Sequence, residues 1–207
     1  MLGLNKKELK ILKSLNSPRK IQDFLNKIPI NFEEKGDTCM SPRMVLRNWK
    51  AHCIEGAMLA AAALSVNGEK PLVVDMESTK KDFDHVICVF KREGKWGSVS
   101  KTNHAVLRYR EPVYKSIREL IMSFFHEYFD DDGKKNLRSY SLPVDLSRFD
   151  HLNWMASEED VWFIPDYLAK VRHFPILTRS HIAGLRRADD IELKVGDILE
   201  WKKSEKK

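Results

Sequence analysis

Cysteine is scarce in this chain: Cys39, Cys53 and Cys88 are the only three among 207 residues, and none is in a C-x-x-C pair. An odd count without paired spacing argues against a disulfide framework and against a zinc ribbon. It fits a reducing compartment, and a cytoplasmic location is the expectation. Long apolar runs are also missing. The longest helical one, Ala57 to Leu64, is short and alanine-rich, far from the roughly 20 residues of a membrane span. The N-terminus, MLGLNKKELKILKSLN, alternates Lys with Leu and has no unbroken apolar segment, so it does not read as a secretory signal. Internal repeats and low-complexity stretches are absent too. His52 beside Cys53 is the nearest approach to a metal-ligand pattern. Neighbouring side chains on a helix diverge, so neither a metal nor a cofactor is expected.

What is present is a globular composition with a basic balance. Hydrophobic residues make up 43% of the chain, enough for one substantial core. The net charge of +6 suggests nucleic acid until its distribution is considered. Residues 6–20 carry +5, residues 202–207 carry +3, and the remainder carries −2. A nucleic-acid surface needs a continuous basic footprint with base-stacking groups. Here the excess lies at the two ends, so solvated lysines on a first helix and a basic tail are the simpler reading, and a nucleic-acid partner is not expected.

Element signals run helix, strand, helix. Asn5 with Glu8 has capping-box spacing. Ser17-Pro18 and Ser41-Pro42 each read as an N-cap followed by proline in the first turn. Ile21, Phe24, Leu25 and Ile28 recur at helical spacing, and residues 33–39 read as a loop. Cys53 to Val66 (CIEGAMLAAAALSV) predicts a central helix, stopped at Gly68, whose alanines let other elements approach closely. PLVVDM (71–76), HVICVF (85–90) and WGSVS (96–100) predict three strands, the last two joined by a Glu93-Gly94-Lys95 turn. Residues 116–128 predict a helix ended by DDDGKK. A strand is expected near Tyr140 to Leu146, a helix capped by Ser157 with Asp160 and running through Trp162 to Leu168, and a final strand over Val195 to Trp201. The order suits one α+β domain over 1–201 with a basic tail at 202–207.

Cys53 opens the central helix. A helix N-terminus offers unpaired N–H groups and a partial positive charge. Both favour the thiolate, which is the nucleophile, and the same N–H groups can face an oxyanion. From position alone, a packed structural cysteine is the commoner fate of a free thiol, and Cys88, mid-strand between Ile87 and Val89, is read that way. His85 opens a strand directly after the polar turn KKDFD. An imidazole at a strand end can take up the thiol proton and return it to a leaving amine. Glu55 reads as structural, Asp82 and Asp84 as solvated turn residues, and the Arg side chains of HAVLRYREPVY (104–114) as partners of Glu111 and Glu119. Core packing is expected for Trp49 and Trp154.

The strings RNWKAHCIEGAMLAAAALSVNGEKPLVV and DFDHVICVFKREGKWGSVS together resemble the core of the transglutaminase-like superfamily. The likeness lies in a Cys opening a helix, small residues behind it, a Gly before the first strand, then a His-bearing strand, a hairpin and a Trp-bearing strand. It covers roughly residues 18–104, leaving 105–201 as a C-terminal elaboration. The resemblance implies a papain-like α+β fold, with the Cys-bearing helix on a mainly antiparallel sheet and extra helices at both ends. It implies a Cys-His-Asp or Cys-His-Asn triad, and hydrolysis or acyl transfer at protein or peptide amide bonds through a thioester. Some members of that superfamily have lost activity. The chain departs from the pattern at the third position, where Ser100 stands in place of the Asp. Asn103 is the expected support for His85, through its amide oxygen, with Ser100 as the positional alternative. Two readings follow: a thiol enzyme using Cys53, His85 and Asn103, or a silent binding module on the same fold.

Overall fold

The computed structural model describes residues 3–80 and 82–201; the basic tail at 202–207 lies outside the described residues. Three short helices come first: α1 (Lys6–Ser14), α2 (Pro18–Leu25) and α3 (Pro42–Asn48). Their starts follow from local chemistry. The Asn5 side chain accepts from the Lys7 and Glu8 N–H groups while Glu8 reaches back to the Asn5 N–H. Ser17 and Ser41 each cap a helix whose first residue is proline. These are the side-chain acceptors that first-turn N–H groups require.

Helix α4 (Cys53–Val66) is the centre of the molecule. Every residue from Gly56 to Leu64 is buried, and Ala60 to Ala63 expose nothing. Such a helix has no solvent face, because α1, α2 and α3 pack on it from one side and the sheet from the other. Strands β1 (Leu72–Glu77), β2 (His85–Arg92), β3 (Lys95–Val99), β4 (Arg110–Tyr114), β5 (Ser139–Ser141), β6 (Val144–Asp145) and β7 (His173–Pro175) form one sheet. Its order is β4-β3-β2-β1-β5-β7, with β6 also on β1, and every pairing is antiparallel. The fold is therefore α+β.

The apolar runs of β1 and β2 have a simple cause: both faces of the sheet are covered. Val73, Val86, Cys88 and Phe90 pack with α4. Val74, Met76, Ile87 and Val89 pack on the opposite face with Ile117, Leu120, Ile121 and Phe124, contributed by α5 (Ile117–Met122) and the turn after it. Side chains alternate across a strand, so a strand covered on both faces is apolar throughout.

Several expectations need correction in the C-terminal half. Ser157 does not start a helix with Asp160. Its hydroxyl accepts from the Glu159 N–H in a tight turn, the Asp160 carboxylate accepts from the Cys39 N–H, and α6 spans only Phe163–Leu168. Val195 lies in a helix, α8 (Asp190–Gly196), after α7 (Arg179–Ala183). Asp189 and Glu192 close a capping box there, and only Leu199 bridges back to His104. Strand β4 is not among the expected elements; its Pro112 lacks a ladder donor, which is tolerated because β4 lies at the sheet edge. Trp154 is fully buried as expected, whereas Trp49 is 44% exposed, edge-on to Phe24.

The approach of α4 to the end of β3 leaves no room for a side chain at Gly56. A Cβ there would lie 2.4 Å from Cβ of Lys101. The Lys101 stem is fixed, because its buried ammonium donates to the Leu25 and Ile28 carbonyls. Gly56→Ala is expected to lower unfolding free energy by about 1–3 kcal/mol despite its better helix propensity. Urea denaturation followed by far-UV circular dichroism measures this, and an unchanged midpoint would contradict the close approach.

Candidate active site

The site forms where the N-terminus of α4 meets the start of β2 and the end of β3. Cys53 is the first residue of α4, and His52 is its N-cap with an extended backbone. Cys53 is partly exposed, whereas Cys39 and Cys88 are buried. Burial pushes the Cys39 and Cys88 thiols up. Burial alone would raise Cys53 as well. Hydrogen bonds from His52 and His85, together with their charge, outweigh it and bring this thiol down to about 5. Cys53 lies next to the start of β2: its sulfur is 4.0 Å from the carbonyl of Asp84, the residue before His85.

His85 is buried, and its proton can be assigned. Its Nε2 lies 2.8 Å from Oγ of Ser100. That hydroxyl donates its one proton to the Leu107 carbonyl, 2.6 Å away. Ser100 Oγ therefore meets the imidazole as an acceptor, Nε2 carries the hydrogen, and Nδ1 is left for Cys53.

Ser100 is itself pinned by a residue that sequence reasoning missed. The Gln22 amide donates to the Ser100 carbonyl and accepts from the Ser100 N–H, both at 2.9 Å. This continues the pairing of β3 with a side chain of α2. Leu107, the acceptor of the Ser100 hydroxyl, has a left-handed backbone with φ of 59°. A leucine holds that conformation only when its surroundings impose it. Here the Leu107 N–H donates to Glu127, which Arg110 also grips at 2.6 Å. The Arg side chains of 104–114 thus pair with Glu127 and Glu200, not Glu111 and Glu119.

Asn103 does not support His85. Its amide donates to the Trp201 carbonyl at 3.2 Å, and its own carbonyl accepts from the Glu200 N–H. The chain leaves the strand end toward the C-terminal segment instead of turning back, so Ser100 takes the position assigned to Asn103.

His52 is the second missed residue. Divergence of adjacent side chains holds inside a helix, but His52 is the N-cap with an extended backbone, so the rule does not separate it from Cys53. Its Nε2 faces the Thr38 carbonyl at 2.9 Å, with Glu55 at 3.4 Å and Glu33 at 3.5 Å. Burial would lower this imidazole, but its bonds to Cys53 and Glu55 prevail and raise it. Glu55 is wholly buried and accepts from the Met40 and His52 N–H groups at 2.9 Å and from Thr38 Oγ1 at 2.8 Å.

The approach to His85 is built by acids. Asp84 accepts from the Ser78 N–H at 2.7 Å, Asp82 from the Asn136 amide at 2.5 Å, and Phe83 between them is 90% exposed. On β1, Asp75 pairs with His173 at 3.1 Å; burial and then Asp84 push its carboxyl up to about 6. Among the described residues, no group of three or more His, Cys, Asp or Glu side chains is arranged to hold a metal ion, and no helix is long and apolar enough to cross a membrane.

No family model matches this chain, and no curated protein matches its sequence.

Iodoacetamide at about pH 6 is expected to modify Cys53 well before Cys39 and Cys88, since only Cys53 combines access with thiolate character. Peptide mapping by mass spectrometry reads the order. Earlier modification of either buried cysteine would overturn the assignment.

Proposed function

We propose that this protein is a thiol-dependent hydrolase or acyltransferase of the transglutaminase-like kind, acting on protein or peptide amide bonds through a Cys53 thioester. The observation that carries the reading is a part-exposed cysteine at a helix start, its sulfur 4.0 Å from the carbonyl that precedes His85, whose Nε2 meets Ser100. Nucleophile, base and orienter in that geometry define a site by roles, not by sequence order.

The steps follow from the groups present. The Cys53 sulfur attacks the amide carbonyl, and a C–S bond forms as charge moves to the carbonyl oxygen. First-turn N–H groups of α4 lie where a helix offers donors to such an oxyanion. Protonated His85 gives its Nδ1 proton to the departing amine, the C–N bond breaks, and a thioester remains. Water or a second amine then attacks the thioester, His85 takes up the proton, and the Cys53 thiolate leaves. The acyl group ends on water in hydrolysis or on the amine in transfer.

A second reading has one observation in its favour. Ser100 is a neutral orienter and gives His85 none of the charge stabilisation of a carboxylate. A papain-like fold with that substitution also suits a silent module that binds amide-containing partners without turning them over.

An activated ester such as p-nitrophenyl acetate distinguishes the two. The enzyme reading expects an acyl adduct on Cys53 by intact mass and steady release of acid. Cys53→Ser is expected to abolish both. Ser100→Ala is expected to reduce turnover about 10- to 100-fold by freeing the imidazole, whereas Asn103→Ala changes it less than about twofold. A stable adduct that never turns over would favour the binding module.

A further inference from the structure

We propose that His52, clamped by the buried Glu55 carboxylate, is a positioning residue that holds Cys53 as the thiolate and so supplies the charge that the serine at position 100 does not. The proposal rests on Cys53 being the nucleophile and assigns the two histidines different work: His52 keeps the sulfur anionic, and His85 carries the proton of the reaction.

The geometry fixes the protonation of His52 on one side. All three groups facing Nε2 are acceptors: the Thr38 carbonyl at 2.9 Å and the Glu55 and Glu33 carboxylates at 3.4 and 3.5 Å. Nε2 must therefore carry a hydrogen. With Nε2 committed to Thr38, Nδ1 is the nitrogen available to the Cys53 sulfur, and toward a thiolate it too must donate.

Glu55 explains why the doubly protonated ring is stable. A carboxylate with no exposure is costly unless its oxygens are satisfied and a countercharge is near. Asn31, Thr38 and the Met40 and His52 N–H groups satisfy the oxygens, and His52 is the cation that faces it. Carboxylate, imidazole and sulfur then all belong to the first turn of α4 and its cap. On the other side of the sulfur, His85 leans on a hydroxyl that adds no charge.

The other charged groups set what this pair must overcome. Glu33 and Glu55 face His52, and the Asp84 carbonyl lies 4.0 Å from the Cys53 sulfur. Asp75, Cys39 and Tyr128 are each close enough to interact electrostatically with Cys53. Burial keeps Cys39 and Tyr128 protonated, so among these three it is Asp75, once ionised, that opposes the thiolate, and the two imidazoles are the favourable charges at the sulfur.

The test reads the thiolate directly and needs no substrate. The rate of Cys53 alkylation by iodoacetamide is followed from about pH 4 to about pH 9 in the full chain, with folding checked by circular dichroism. The wild-type profile is expected to rise with a midpoint near 5. In His52→Gln, whose amide can still donate to Thr38, the midpoint is expected to move up by at least about one unit. The rate at about pH 5 then falls several-fold. Glu55→Gln is expected to move it the same way, and His85→Gln to move it less than His52→Gln does. Nitrogen-15 NMR of the histidine-labelled wild type provides a readout without mutation: both His52 nitrogens are expected to be protonated at neutral pH. A neutral His52 ring, an unmoved midpoint in folded His52→Gln, or a larger shift in His85→Gln would overturn the proposal. A shifted midpoint in a protein that forms no acyl adduct would uphold the His52 role in holding the thiolate and remove the enzyme reading.

Discussion

The buried carboxylate of Glu55 is the constraint on which the start of α4 depends. It lies under the first turn of the helix and accepts from four donors: the Asn31 side chain, the Thr38 hydroxyl, the Met40 N–H and the His52 N–H. Each donor belongs to irregular chain with no strand or helix partner of its own for that group. Replacing the carboxylate would leave several buried donors unsatisfied, at about 1–3 kcal/mol each. One anion thus ties the 31–40 loop to the helix that carries Cys53. It also fixes the N-cap backbone of His52.

On the opposite side of the thiol, the group that touches the far nitrogen of the imidazole is neutral. His85 leans on Ser100, Ser100 on the Leu107 carbonyl and on Gln22, and Leu107 on Glu127, which Arg110 holds. Each link fixes a direction and none places a charge next to the imidazole. The acceptor of the Ser100 hydroxyl is a carbonyl oxygen 2.6 Å away. A carboxylate at position 100 would meet that oxygen with like partial charge and no proton to share. The serine therefore belongs with the strained Leu107 turn, and an aspartate there would require the turn to change as well.

The parts of the molecule legible in the sequence were those governed by local rules. Asn5 with Glu8, Ser17-Pro18, Ser41-Pro42 and the Glu93-Gly94 turn each carry their geometry within four residues, and the elements began where those signals stand. The alanine-rich run of α4 announced a helix buried on several sides. The C-terminal half was less legible because its elements are short and paired at long range. Strand β5 is three residues held between β1 and β7, too short for alternation to register. Val195 has the β-branched look of a strand, but the Asp189–Glu192 capping box places it in a helix. Within the site, Cys53 and His85 could be paired from context, and Ser100 was visible as a departure. Gln22 could not be assigned a role, because a glutamine on a buried helical stripe has no partner visible 78 residues away.

His52 was discounted for a physical reason that fails at one position. Adjacent residues diverge where both have helical backbone. At an N-cap the first of the two is extended, here with ψ of −171°, so the rule does not apply across the cap boundary. A sequence signal existed, since His52 and Glu55 stand in the three-residue spacing that lets a side chain at the third helical position reach back to the cap N–H. In most helices that reach satisfies a donor and does nothing more. When the cap is a histidine and the first helical residue a cysteine, the same carboxylate also faces the ring beside the sulfur. A structural capping interaction and the electrostatics of a thiol then become one arrangement. That coincidence places an acid at the thiol site without placing it against the sulfur, so its charge favours the imidazolium first and reaches the thiolate through it.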